Sequence, residues 1–408
     1  MDPPSILLEI TEQIIDVLAS ENHQGSAIKA CATVSRDLLA ICRKHLFSTI
    51  HIQRDIHSVG PNSSLSPPHT IARNARFVEL ITATPAIADC VRTLNYAISR
   101  QDRNDAALWK TLEKLTRLQC LKLRLLTSTN GIDWGDPRME GLRSVFFHLT
   151  SLPTFIDLSL DGPFYSFPFS LFASSPNLKS LSVSELHISD SDPLDEFKMR
   201  SNIRPALLQE FHQGLHADEA TEKLLRCPFL DFTNLTKVSL TLEEETEEYL
   251  KSFVQRLQYL TFVHMNVSSM VLTLVDLAKI TASSRRSLKV VSLEILCPFD
   301  DEDPLLGLCP ELEKMADENV LESILIDATV SGPDGCRTEE EWGRLSEVLM
   351  KEEWSCLRQV TLSIAIAGGR NPELELEAKL GKLPFTQLAE LRSTERFKFE
   401  YDCRVVDE

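Results

Sequence analysis

The stretch "ITASSRRSLKVVSL" (residues 280–293) decides how most of this chain reads. It passes from an apolar start through a polar break to Leu288, Val291 and Leu293. Those three residues occupy an apolar-x-x-apolar-x-apolar frame. The alternation at its end is that of a short strand with one buried face.

The frame recurs at Val91-Leu94-Tyr96, Leu118-Leu121-Leu123, Phe155-Leu158-Leu160 and Leu178-Leu181-Val183. It appears again at Leu235-Val238-Leu240, Leu321-Ile324-Ile326, Leu357-Val360-Leu362 and Thr394-Phe397-Phe399, with an extra match at Leu257-Leu260-Phe262. From Leu288 onward the main matches start 33, 36 and 37 residues apart. Similar polar breaks precede them in "LFASSPNLKSLSV", "RCPFLDFTNLTKVSL" and "LMKEEWSCLRQVTL". Helical periodicity fills the intervals. It is seen in "RNARFVELITATP" (73–85), in "TEEYLKSFVQRL" (246–257) through Leu250, Phe253, Val254 and Leu257, and in "EEEWGRLSEVLMKEE" (339–353) through Trp342, Leu345, Val348 and Leu349. Helix, break and strand in repetition predict an α/β chain built as a β/α solenoid, whose units bury their strands against one another. The units are uneven. An acidic insertion, "SDSDPLDEFKMRSNIRP" (189–205), follows the fourth match and leads into residues expected to be helical.

With 43% hydrophobic residues among 408, the chain can bury a large core. Its net charge of −18 is unevenly placed, because residues 1–110 carry 11 acidic and 11 basic side chains. The excess lies beyond them, in runs such as Glu243–Glu245, Asp300–Asp303 and Glu339–Glu341. Such a surface repels phosphate backbones, so nucleic acid is not an expected partner, and a basic patch on a protein partner fits it better. The ten cysteines form no C-x-x-C pair. Cys31, Cys42, Cys120, Cys227 and Cys356 sit in apolar patterns and are expected to be buried thiols in a reducing compartment.

Near the N-terminus, "ILLEITEQIIDVLAS" (6–20) is too short and too charged to span a bilayer, and it lacks the basic start of a secretory signal. A cytoplasmic or nuclear protein that binds no membrane is expected. As a helix, the segment places Leu7, Ile10, Ile14 and Leu18 on one face and Glu9, Glu12 and Asp16 elsewhere. Two further helical patterns follow in "AIKACATVS" (27–35) and "RDLLAICRKHLF" (36–47), then a short strand in "STIHIQ" (48–53). Three short helices cannot hide all their apolar faces unaided. They need a partner or the rest of the chain.

The run "LLEITEQIIDVL…IKACATVSRDLLAICRKHLFSTI" resembles an F-box, in the version common in fungal F-box proteins. Ile6-Leu7 stand at the family's Leu-Pro, Glu9 and Ile10 at its acidic-apolar step, and Ile14, Ile15 and Leu18 on its apolar ladder. Val34, Ser35 and Arg36 match the second signature. Two positions depart from the pattern: Leu7 replaces the proline, and Leu38 stands where an aromatic residue is usual. The resemblance implies an F-box-like helical domain over residues 1–53, followed by a Ser/Pro-rich linker (54–72) and an irregular leucine-rich-repeat-like solenoid (73–408). It also implies a substrate receptor of an SCF cullin–RING ubiquitin ligase that does no catalysis itself. A Skp-family adaptor, and through it a cullin scaffold, would bind at Leu7, Ile10, Ile14, Ile15, Leu18, Val34, Ser35 and Leu38. The solenoid would hold a protein substrate. A protein-interaction scaffold with a degenerate F-box is the alternative that the two departures raise.

Motifs for chemistry are missing from the sequence. It contains no phosphate-binding G-x-x-x-x-G-K-[ST], no G-x-G-x-x-G after a strand and no G-x-S-x-G. Gly368-Gly369 read as a loop. His212 and His216 stand four apart, which on a helix gives one face, but the intervening Gly214 weakens that helix and solvated histidines are expected. No catalytic residue, cofactor or metal is therefore expected.

Overall fold

Parallel strands dominate the computed structural model, which describes residues 8–21, 26–52, 69–99, 102, 105–125, 131–189, 204–242, 247–267, 277–297, 303–331, 340–367 and 373–406. The chain divides into two compact units, Met1–Leu207 with Arg226–Leu230, and Leu208–Leu225 with Asp231–Glu408.

In the first unit, helices α1 (Leu8–Glu21), α2 (Ser26–Ala32) and α3 (Arg36–Leu46) lead into strand β1 (Thr49–Ile52). Helix α4 (His69–Ala83) begins inside the stretch 54–72 that reads as a linker; residues 53–68 lie outside the described residues. The strands β2 (Thr93–Ile98), β3 (Cys120–Leu125), β4 (Ile132–Asp133), β5 (Asp157–Phe167), β6 (Ser180–Ile188) and β7 (Ala206–Leu207) alternate with α5 (Ala106–Leu112), α6 (Glu140–Thr150) and α7 (Ser170–Ala173). The sheet runs β1-β2-β3-β5-β6 with every pair parallel, and β4 adds to β5. Parallel pairing needs a crossover after each strand, which the helices and turns supply.

Register decides what is buried. Leu94, Leu121, Leu158 and Leu181 lie side by side, as do Tyr96, Leu123, Leu160 and Val183, and all are buried. The register of β5 against β6 then shifts after Asp161. Gly162 takes φ +117 there, and a Cβ on it would meet the Leu125 Cβ at 2.7 Å, so only glycine fits. Beyond the shift, Trp134 stacks on Phe146 with ring centres 5.2 Å apart and meets Phe167 at the same distance.

The short β9 (Leu230–Asp231) begins in the first unit, where it pairs with β7; the second unit contains β8 (Glu210–Gln213), β10 (Lys237–Leu242), β11 (Phe262–Val267), β12 (Val290–Cys297), β13 (Ser323–Ser331), β14 (Gln359–Ala367) and β15 (Lys398–Val406). Its sheet is parallel throughout, in the order β8-β10-β11-β12-β13-β14-β15. Phe211, Val238, Val263, Val291, Ile324, Val360 and Phe399 form one row across it. Leu240, Met265, Leu293, Ile326, Leu362 and Tyr401 form the next. The helix Glu340–Leu349 buries Trp342, Leu345, Val348 and Leu349, the face its periodicity marked.

Eight of the apolar frames read from the sequence lie in these rows. Two are displaced. Phe399 pairs with Val360, so the last frame starts at Arg396 rather than Thr394. The two-residue alternation of Phe397 and Phe399 permits that slip. Val263 pairs with Val238, so the extra frame is Leu260-Val263-Met265, three residues after the expected one. Equal spacing of Leu257, Leu260 and Val263 permits that one. The residues after the acidic insertion are strand before they are helix: the frame Leu208-Phe211-Gln213 runs into β8, and the helix Asp218–Leu225 comes after it. Gln213 hides the frame. It is buried, and its amide donates to Asp218 Oδ1 at 2.6 Å.

Leu293 sits in the middle of the second sheet with no exposed surface. Leu293→Ala is expected to lower the opening free energy of β11–β13 by about 2–5 kcal/mol, through lost burial and the cavity left behind. Amide exchange of peptides from those strands measures it. The exposed neighbour Glu294→Ala is expected to change it by less than about 0.5 kcal/mol.

Candidate functional site

Helix α1 has three faces, and each does something different. Thr11, Ile15 and Leu18, spaced i, i+4, i+7, turn toward α2 and α3. Ile15 is 2% exposed and forms a small core with Ile28 and Cys42, against which Leu18, Ala19, Cys31, Leu38, Ile41 and Leu46 pack. A second stripe with the same spacing faces away: Ile10 is 48% exposed, Ile14 51% and Val17 54%. The third face carries Glu12 and Asp16, which reach the end of α3. Lys44 Nζ lies 2.6 Å from Glu12 and 2.9 Å from Asp16, and His45 Nε2 lies 2.8 Å from Asp16. Cations in the last turn of α3 also suit the negative end of its dipole.

Helix α3 starts at Ser35, whose side chain accepts a hydrogen bond from the Leu38 N–H at 3.2 Å. This N-cap satisfies a backbone donor that the helix itself leaves open. Just before it, Thr33 and Val34 close the turn after α2 by donating to the carbonyls of Ala30 and Cys31. The turn leaves Val34 73% exposed.

The expected adaptor residues therefore separate. Ile10, Ile14 and Val34 are outside and available. Ile15 is core, and Leu18 and Leu38 pack partly inward, so these three first hold the helices together. Ser35 is a cap. Leu7 lies outside the described residues. Of the single face read through Leu7, Ile10, Ile14 and Leu18, the described part is in fact two adjacent stripes, because α2 and α3 pack on the Leu18 side of α1 and leave the Ile10–Ile14 side bare. Val17, which the sequence reading passed over, completes the outer stripe; its i+7 spacing from Ile10 marks it.

Other expected features are also placed. His212 stands on β8 and His216 in the following turn with φ 51, so they do not share a helical face. Among the described residues, no group of three or more His, Cys, Asp or Glu side chains is arranged to hold a metal. Gly368-Gly369 lie outside the described residues. The described cysteines are free thiols. Of the five expected to be buried, Cys42 and Cys227 are, Cys31 and Cys120 are half-buried, and Cys356 is exposed, contrary to its apolar sequence context. Burial, reinforced by the hydrogen bond to Asp157, pushes the Cys120 thiol up to about 12, and burial above all pushes Cys403 up to about 11. Both are protonated at neutral pH and are poor nucleophiles. Among the described residues, no helix is long and apolar enough to cross a membrane. No known family model matches the chain, and no curated protein matches it.

The hydrogen bond from Lys44, and then that from His45, hold the Asp16 carboxyl below its ordinary value. The stability this lends the α1–α3 contact is present above the usual aspartate range, near about 3.9, and is lost as the pH falls through the lowered value. Asp16→Asn is expected to speed amide exchange in α1 at neutral pH. The gap from wild type should close as both are acidified. A gap that stays constant with pH would contradict it.

Proposed function

We propose that this chain is an F-box-type substrate receptor of an SCF ubiquitin ligase. The observation that carries this reading is the exposed apolar stripe Ile10-Ile14-Val17 on a helix whose other two sides are already engaged. Exposed apolar residues at helical spacing are how a helix seats in a partner's groove. The F-box resemblance of the same segment names the partner: a Skp-family adaptor, joined to a cullin. Val34, at the turn before α3, would add to that contact.

On this reading the parallel β-rich region is an irregular leucine-rich-repeat-like solenoid, and it holds a protein substrate. Successive helix-and-strand units of uneven length, with their apolar rows in register, support it. The chain itself makes and breaks no bond. It raises the effective concentration of a substrate near a ubiquitin-conjugating enzyme. The cytoplasm or nucleus, where that machinery works, is the compartment this reading assigns.

Calorimetry of the full-length chain with a Skp-family adaptor tests it. Saturable binding is expected. Ile10→Asp/Ile14→Asp should weaken it by about a hundredfold or more, because each new carboxylate would have to be buried without a partner. Both positions are about half exposed, so the variant should melt as the wild type does. A folded wild-type chain that does not bind the adaptor would contradict the receptor and leave the protein-interaction scaffold as the reading.

A further inference from the structure

The starts of the strands in the second unit form a second candidate surface. Thr261, Lys289, Glu322 and Arg358 each stand one residue before a strand, and register puts them side by side. Their backbones are fixed: the Thr261 carbonyl accepts from Lys289 and Val290, that of Lys289 from Glu322 and Ser323, and that of Glu322 from Arg358 and Gln359, all within 2.8–3.0 Å. In front of them lies a groove of about 690 Å³ lined by Arg286, Lys289, Arg358 and Arg396, with Glu322 as its one lining carboxylate.

The charge of this groove is opposite to that of the chain as a whole, which has 60 acidic and 42 basic residues. Glu322 lies 2.8 Å from Lys289 and 4.0 Å from Arg358. Glu318 lies 2.8 Å from Arg286. Arg396 donates to the carbonyls of Met350 and Lys351. Four cations thus face two carboxylates. The Arg358 side chain is 79% exposed and meets its carboxylate only at the limit of an ion pair, so its guanidinium can take another anion. At physiological salt, charges beyond about 8 Å are screened, so the groove's own excess outweighs the acidity of the distant surface.

We propose that this groove binds a carboxylate-rich peptide segment of a partner protein. The proposal names the substrate class of the receptor described above and rests on that reading for the word substrate. The net excess of two positive charges, four cations against two carboxylates, suits two carboxylates of a partner. Lys289 and Arg358 stand two strands apart, about 10 Å, while an extended peptide advances about 3.3 Å per residue. Acidic side chains four positions apart, about 13 Å along such a peptide, lie on one face of it and are brought to both cations by the length of the lysine and arginine stems.

Fluorescence anisotropy of the full-length chain tests this with a short labelled peptide repeating Glu-Ser-Ser-Glu. Its Gln-Ser-Ser-Gln counterpart, a phosphoserine version without glutamate, and single-stranded DNA serve as rivals. Saturable, salt-sensitive binding of the glutamate peptide is expected, with the glutamine peptide weaker by about tenfold or more. Arg358→Glu, and independently Lys289→Gln, should weaken the glutamate peptide by about tenfold while the melting temperature holds. If Arg358→Glu fails to fold, Lys289→Gln decides. The proposal is overturned by no saturable binding of the glutamate peptide, by equal binding of the glutamine peptide, by indifference to the folded variants, or by tighter binding of the phosphopeptide or the DNA. The adaptor is absent from this assay. Failure of the receptor reading therefore appears in the calorimetry alone, and failure of the groove appears here alone.

Discussion

A single carbonyl before each strand, shared by two successive N–H groups of the next strand, sets the register on which both sheets depend. Ser48, Arg92, Gln119 and Ile156 do this in the first unit, and Gln209, Thr236, Thr261, Lys289 and Glu322 in the second. A slip of one residue would turn every side chain of a strand to the opposite face. With the carbonyls shared in this way, each strand presents its apolar pair to the same layer as its neighbour, and the rows through Val291 and Leu293 stay buried from strand to strand. The same constraint acts on the residues just outside the strands. It lines up Lys289, Glu322 and Arg358, and so makes the basic groove a product of register.

The buried rows were legible in the sequence because they repeat a local pattern. Leu94-Tyr96, Leu121-Leu123 and Leu158-Leu160 announce their strands through alternation alone. Where apolar residues recur at equal intervals, as at Leu257, Leu260 and Val263, the pattern has more than one reading, and for that reason the expected frame Leu257-Leu260-Phe262 lies three residues before the observed Leu260-Val263-Met265. Polar substitution hides a strand just as well: Gln213 occupies a core position, where its amide donates to Asp218. The groove could not be seen at all, since Lys289, Glu322, Arg358 and Arg396 each stand more than thirty residues from the next and only strand pairing unites them.

The N-terminal segment was legible in part. Its helices and its surplus of apolar surface followed from periodicity. Which apolar residues would be spare did not, because Ile14 and Ile15 are equivalent in composition and adjacent on the helix. The packing of α2 and α3 chooses between them, taking Ile15 and Leu18 and leaving Ile10, Ile14 and Val17. Two of the carboxylates that make the segment unlike a membrane span, Glu12 and Asp16, have a place of their own, against Lys44 and His45. α1 thus has one side in a core, one in an ion network and one bare.

On the receptor reading, the adaptor seats on that bare side. Hydrogen–deuterium exchange of the full-length chain, with and without a Skp-family adaptor, tests it most directly. The account predicts slower exchange on adaptor addition across α1, from Ile10 to Val17, and at the Val34 turn, with the strands of the second unit unchanged. Adaptor binding that leaves α1 unprotected, or that protects the second sheet instead, would contradict it.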